Sequence, residues 1–378
     1  MDEGPQPKLT NRVDERENSQ LFVRFIPVPP VSRGHGTEVF LPACLGKSQL
    51  FTQWYPSNED QHVRQPDDGW LSGIAPGVLA YVRADEGWLA GNAGALVGRT
   101  SMVLVDTAAT RARTQAMLGA LRARCGDLPV SAIVNTHHHP GHTLGNGALP
   151  PTTTVIGHRA CREEMLRYGT APADPFPGIV VADGTGVPLS PPTVTFDDSL
   201  VLHVADTQVE LRFMGPAHTR GDIVAWVPEH RVVFAGDLVV HRAHPNLLDG
   251  TIAGYPAVLH RLRSLDARVI VPGRGPVCGP EVIDDMLAYA EFVTDLAADG
   301  FERGLTPLEL ASDVPLGRFA TWQDGERLVA NVHRAYAELL GGPACAPLDS
   351  GRVLEDVAKC RGGPLDAEIY VAGDDLSV

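Results

Sequence analysis

The stretch Asn135-Thr136-His137-His138-His139-Pro140-Gly141-His142 decides how this chain is read, because it sets four histidines within six residues directly after an apolar, strand-like run at 130–134. Neutral imidazole is the commonest protein ligand for zinc and also suits iron. Residues two apart at the end of a strand project to the same side, so His137 and His139 can share one ion. His138, between them, faces the other way and reads as a packing residue. A solvated histidine-rich loop has no reason to follow a buried strand or to be echoed downstream.

The echo is present. Phe213-Met214-Gly215-Pro216-Ala217-His218-Thr219-Arg220-Gly221-Asp222 comes first, then the apolar run at 231–235 ending in Gly236-Asp237, then Val269-Ile270-Val271-Pro272-Gly273-Arg274-Gly275-Pro276. Each is a short β-prone run closed by a glycine-containing turn that delivers one polar residue, the way a scaffold gathers ligands from distant parts of a chain. With Val103-Leu104-Val105-Asp106-Thr107 ahead of them, these motifs follow an order that resembles the metallo-β-lactamase superfamily, over roughly residues 70 to 300.

The resemblance implies an α+β fold, an αββα sandwich, and a ligand set. In that family's two-metal arrangement the positions matching His137, His139 and His218 hold the first ion. Those matching Gly141, His142 and Arg274 hold the second, and the one matching Asp237 bridges. The family's histidine loop usually carries an aspartate where Gly141 stands, and its late glycine-rich motif usually carries a histidine where Arg274 stands. The first site is therefore complete and the second keeps only His142 and Asp237. A guanidinium in place of a second cation preserves the net positive charge, donates hydrogen bonds and repels a further metal. The expectation is one ion per chain, zinc in the first instance with iron as the alternative.

Three imidazoles on one ion leave a fourth position for water or substrate, the pattern of a catalytic site. Asp237 is expected to ligate the ion or take a proton from that water. Gly141 has no side chain to act as base, so His142 is the other candidate. Arg274 is expected to steady an oxyanion or grip a substrate carboxylate, and Asp106 to fix the histidine loop through hydrogen bonds. Thr219, Arg220 and Asp222 are expected to shape the loop after His218. His241 and His244, four and seven residues after Asp237, read as pocket-lining or surface residues, with a rebuilt second metal site as the alternative, and His333 as surface or core.

Composition narrows the class. A net charge of −15, with no long acidic run and no basic patch, disfavours nucleic acid or an anionic membrane as partner. No run of about 18 apolar residues occurs and the first residues are polar and acidic, so a soluble, cytoplasmic protein acting on a small molecule is expected. The six cysteines form no CxxC pair and read as ordinary thiols.

Along the chain, residues 1–66 read as an irregular, Pro-rich and charged extension, 67–300 as the catalytic domain, 301–340 as C-terminal helices and 341–378 as a loosely ordered tail. The C-terminal helices are available to cap the domain or to pair in a homo-oligomer. Strands are expected at 78–82, 95–97, 154–156, 194–196, 200–204, 209–213, 223–227 and 232–234, with those at 194–196, 200–204 and 209–213 forming a second, antiparallel set. Helical spacing marks 110–125 with Gly126 as cap, 160–168, 280–298, 306–310 and 326–340. A Pro- and Gly-rich loop is expected at 169–192.

The leading functional expectation is a metal-dependent hydrolase opening an ester, thioester or lactone. One alternative is a non-haem iron oxygenase of the persulfide-dioxygenase type, with His137, His218 and Asp237 as a facial triad; against it, those relatives keep the aspartate that Gly141 replaces. The other is a catalytically silent ligand-binding protein, which would have no need to preserve three first-site histidines.

Overall fold

The computed structural model describes residues 69–83, 88–168 and 188–363. Of the expected features, the extension at 1–66, most of the loop at 169–192 and the end of the tail lie outside them.

Two sheets form the centre among the described residues. The first runs in spatial order β1 (Gly69–Ala75), β2 (Val78–Arg83), β3 (Ala93–Val97), β4 (Met102–Val105), β5 (Val130–Asn135), β6 (Thr154–His158), β7 (Val194–Phe196). The second comprises β8 (Ser199–Val204), β9 (Thr207–Phe213), β10 (Ile223–Val227), β11 (Val232–Val240) and β12 (Val269–Arg274), in the order β12-β11-β10-β9-β8. Both are mixed: β4 to β7 pair in parallel, as do β11 and β12, and the remaining pairs are antiparallel. The helices are α1 (Arg111–Cys125), α2 (Pro140–Thr143), α3 (Arg159–Tyr168), α4 (Tyr255–Arg263), α5 (Val282–Glu302), α6 (Pro307–Asp313), α7 (Arg327–Leu339) and α8 (Ser350–Arg361).

The period of two along the strands explains the layering. In β2, Val78, Ala80 and Val82 turn to the core between the sheets, where they meet Leu211, Ala225 and Phe234 of the second sheet. Leu79 and Tyr81 turn to the opposite face, where Met117, Ala120 and Leu121 of α1 cover them. On the far side of the second sheet, α4, α5 and α7 contribute Leu259, Met286 and Leu328 to a third cluster. Helix, sheet, sheet, helix is the αββα order expected.

Local signals acted as read. Thr110 caps α1 by accepting from Arg113 N, and Gly126 with φ 79° ends it. Thr306 and Glu309 form a reciprocal capping box on α6. The 194–196 strand differs from expectation: β7 pairs in parallel with β6 and belongs to the first sheet, not to the second set. The segment at 341–378 differs too, because α8 starts at the Asp349 cap and buries Val353, Leu354 and Val357. That apolar stripe is only three residues wide and sits among charged neighbours. The helices at 301–340 cap the domain core.

Candidate metal centre

The site forms where the C-terminal ends of β4 and β5 face β11 and the loop after β9. Asp106, just past β4, adopts φ 61° and its backbone N–H donates to Val134 O at 2.7 Å. Its carboxylate then accepts from Thr136 N at 2.7 Å, from Thr136 Oγ1 at 2.7 Å and meets His142 Nδ1 at 3.0 Å. Asp106 thus fixes both ends of the histidine loop, in the role expected of it. Opposite, β11 departs from regular register between Phe234 and Gly236. Gly236 has φ 53°, and a Cβ there would lie 2.6 Å from Thr136 Oγ1, so glycine lets the two loops meet. Gly273 of β12 does the same for Asp237, whose Oδ1 would be 2.0 Å from a Cβ.

His218 is set by its neighbours in the same loop. Asp222 accepts from His218 N at 2.8 Å and Thr219 N at 2.9 Å, folding the turn back on itself. Arg220 reaches Glu164 of α3 at 2.6 Å. These residues shape the loop, as the sequence suggests.

Ligand atoms of His137, His139, His218 and Asp237 all lie within 4.8 Å of one another. The outward nitrogen of each imidazole is engaged. Thr136 Oγ1 lies 3.0 Å from His137 Nδ1, Asp249 Oδ2 lies 2.9 Å from His139 Nε2, and Asn246 O lies 2.6 Å from His218 Nδ1. An acceptor on the outer nitrogen places the ring hydrogen there and leaves a lone pair on the inner one. In neutral rings, His139 Nδ1 and His218 Nε2 therefore face each other as two acceptors only 2.8 Å apart. His137 Nε2 is buried with no hydrogen-bond partner among the described residues. Lone pairs converging on one point, away from water, are what a cation satisfies, so this donor set fits a divalent ion.

Electrostatics favour the same state. Burial, reinforced by His139, pushes His218 down to about 3, and burial holds His137 well below the usual histidine range. Both rings are thus neutral and ligand-competent at pH 7. Burial alone would raise Asp237, but Arg274 and His142 outweigh it and hold the carboxyl well below its ordinary value. His142 is fully buried, its Nε2 3.2 Å from Asp237 Oδ1. Burial disfavours its charged form, yet Asp237 and Asp106 together raise it to about 9.

Arg274 reaches Asp237 as well. Its Nε donates to Asp237 Oδ2 at 3.0 Å, and its terminal nitrogens donate to Ala90 O at 2.7 Å and Trp88 O at 2.9 Å. Gly141 lies on the same side, where a Cβ would be 3.2 Å from Leu89 O and 3.6 Å from an Arg274 terminal nitrogen. Beside Arg274 is a cavity of about 340 Å³ whose lining includes Trp70, Arg83, His241 and Arg242.

His138 is buried behind the loop. His244 bonds Tyr289 and Phe319 O in the core, and His241 Nδ1 contacts Pro276 O. His333 pairs with Asp356 of α8. None of these four is among the ligand atoms converging on the His137, His139, His218 and Asp237 centre. Asn246 and Asp249, by contrast, orient two ligands and escape a sequence reading. A backbone carbonyl leaves no mark in side-chain letters, and Asp249-Gly250 looks like any turn.

The model of the metallo-β-lactamase superfamily matches residues 87–274. A linear primary-alkylsulfatase from Pseudomonas sp. is 27% identical over 256 residues, covering 57% of this chain and 48% of that protein. A type 2 metallo-β-lactamase from Bacteroides fragilis is 23% identical over 235 residues, covering 59% and 85%. A hydroxyacylglutathione hydrolase from Rhodospirillum rubrum is 27% identical over 161 residues, covering 43% and 52%. The chain thus spans about half the length of the alkylsulfatase and of the hydroxyacylglutathione hydrolase. No helix among the described residues is long and apolar enough to cross a membrane.

Proposed function

This chain belongs to the metallo-β-lactamase superfamily, and from that premise we propose that it is a hydrolase with one zinc ion, opening an ester-type bond (ester, thioester or lactone) in a small molecule. The observation that carries the reading is the convergence of three imidazoles and one carboxylate whose outer atoms are already satisfied.

His137 Nε2, His139 Nδ1 and His218 Nε2 would hold the ion, with Asp237 beside them. When bound, a zinc ion lowers the pKa of a coordinated water to about 7 and supplies hydroxide at neutral pH. Asp237, kept ionised by Arg274 and His142, offers a carboxylate that would ligate the ion, and its depressed basicity makes it a poor proton acceptor. His142 has both ring nitrogens facing carboxylates, Asp106 and Asp237, which raise it above the ordinary histidine value. Arg274 spends Nε and both terminal nitrogens on Asp237 and on the carbonyls at 88 and 90. These contacts position Asp237. The same contacts support a single ion, since a guanidinium occupies the side of Asp237 where a second cation would draw near and Gly141 offers no ligand.

By name, the relatives are an alkylsulfatase, a β-lactamase and a hydroxyacylglutathione hydrolase. The test is metal analysis of protein purified without chelator, followed by assays on sulfate esters, carboxylate-bearing thioesters, lactones and neutral esters. Zinc near one per chain with cleavage of an ester, thioester or lactone is expected. Iron with oxygen uptake, or absence of bound metal, would overturn the proposal.

A further inference from the structure

We propose that α7, which lies outside the residues matched by the family model, is a positioning element that sets the metal affinity of the site through the loop at 244–253. The inference rests on the metal-site reading above.

The loop supplies the outer partners of two ligands, Asn246 O for His218 and Asp249 for His139. Such partners fix the ring's tautomer and its aim, and so its strength as a ligand. Leu247, Leu248 and Ile252 bury their side chains in the core, and the loop's backbone is further held by one stripe of α7. Arg327, Asn331, Arg334 and Glu338 are spaced four, three and four residues apart and so lie on one face of the helix.

Each of the four reaches the loop. Arg327 donates to His244 O at 3.1 Å. Asn331 donates to Pro245 O at 2.8 Å and accepts from Leu247 N at 2.8 Å, bracketing Asn246 from both sides. Arg334 Nε donates to Leu248 O at 3.0 Å, one residue before Asp249. Glu338 accepts from Ile252 N at 3.0 Å and Ala253 N at 2.9 Å. Asn331, Arg334 and Arg327 are essentially inaccessible to solvent. Burying two guanidiniums is costly. A helix that only covered the core would use apolar residues there, as α7 does at Leu328 and Val332.

The start of α7 also reaches the other side of the site. Glu326 Oε1 accepts from Trp88 Nε1 at 3.1 Å, and the Arg327 guanidinium stacks 5.3 Å from the Trp88 ring centroid. Trp88 O in turn receives Arg274. One helix therefore governs the acceptors of His139, His218 and Arg274.

The experiment compares wild type with Asn331→Leu, Arg334→Met, Arg334→Lys and the less buried Glu338→Ala. Zinc affinity is measured by chelator competition, and the cobalt(II)-loaded visible spectrum reports ligand geometry. Folding is verified by circular dichroism and melting temperature. We expect folded Asn331→Leu and Arg334→Met to bind zinc about tenfold more weakly with an altered cobalt spectrum. Arg334→Lys should recover part of the loss, and Glu338→Ala should shift in the same direction by less. If Asn331→Leu fails to fold, Glu338→Ala carries the test. Unchanged zinc affinity and cobalt spectrum in the folded variants would overturn this proposal alone, whereas wild-type protein that takes up no zinc would overturn the metal-site reading with it.

Discussion

Arg274 Nε lies 3.0 Å from Asp237 Oδ2, with the two side chains 11% and 3% exposed. Removing one partner of so buried a pair strands the other, at a cost of about 3–5 kcal/mol. Arg274→Ala is therefore expected to lower the unfolding free energy of metal-free protein by about that amount in a urea titration. Zinc should restore much of it, because an ion beside Asp237 replaces the lost positive charge. Arg274→Lys should recover only part, since a single ammonium does not reproduce a fork that serves three acceptors. Equal stability of wild type and Arg274→Ala would mean that the pair does not form in solution.

The substitutions at Gly141 and Arg274 are complementary, which gives a test by reversal. A side chain at position 141 would point between Leu89 O and the Arg274 guanidinium. Gly141→Asp alone should pair with Arg274 and bind no additional ion. Gly141→Asp combined with Arg274→His should raise metal content from about one toward two per chain by mass spectrometry of the loaded protein, because the second site then has its full ligand set. Stoichiometry fixed at the wild-type value in the double variant would show that more than these two residues excludes a second ion.

The parts of this structure that were legible share one property: they are written as side-chain periodicity or as local turn chemistry. The period of two in β2, the cap pair Thr110 and Gly126, and the adjacency of His137 and His139 all act within a few residues. So does Asp106, whose place at the end of an apolar run next to another strand end limits what it can touch. What stayed hidden depends on partners far along the chain. β7 has three residues and no pattern to choose between two sheets; its parallel pairing with β6 follows from tertiary packing. The orientation of His218 relies on a backbone carbonyl at 246. Arg274 reads as a substrate contact from its position, and only coordinates reveal that it also bonds the carbonyls of Trp88 and Ala90.

Asp106 should matter to stability as well as to metal binding. Its two oxygens serve Thr136 N, Thr136 Oγ1 and His142 Nδ1 inside the protein. Asp106→Asn keeps one acceptor oxygen but sets an amide N–H₂ against a neighbour that needs an acceptor. A loss of about 1–3 kcal/mol is expected for the unsatisfied group, with weaker zinc binding because the loop bearing His137 and His139 is released. A variant of wild-type stability that also retains wild-type zinc affinity would remove Asp106 from this role.

Protonation of a buried histidine away from the metal centre should make stability fall in acid. His244 is buried between Tyr289 and the Phe319 carbonyl, and Tyr289 also accepts from Asn331 of α7. Nε2 donates to Phe319 O, so Nδ1 accepts from the Tyr289 hydroxyl and the ring is neutral. Burial pushes this histidine down to about 4, from an ordinary 6.5. Between those two values the unfolded chain takes up a proton that the folded chain refuses, so stability present above pH 6.5 is lost as pH falls toward 4. The gap corresponds to about 3 kcal/mol. His244→Gln, which cannot titrate, should start less stable at pH 7 and lose about that much less than wild type on going to pH 4. Urea titrations of both metal-free proteins at pH 7, 5.5 and 4 measure the difference and subtract the contribution of the other histidines. Parallel stability curves for the two proteins across that range would exclude His244 as the acid-sensitive group.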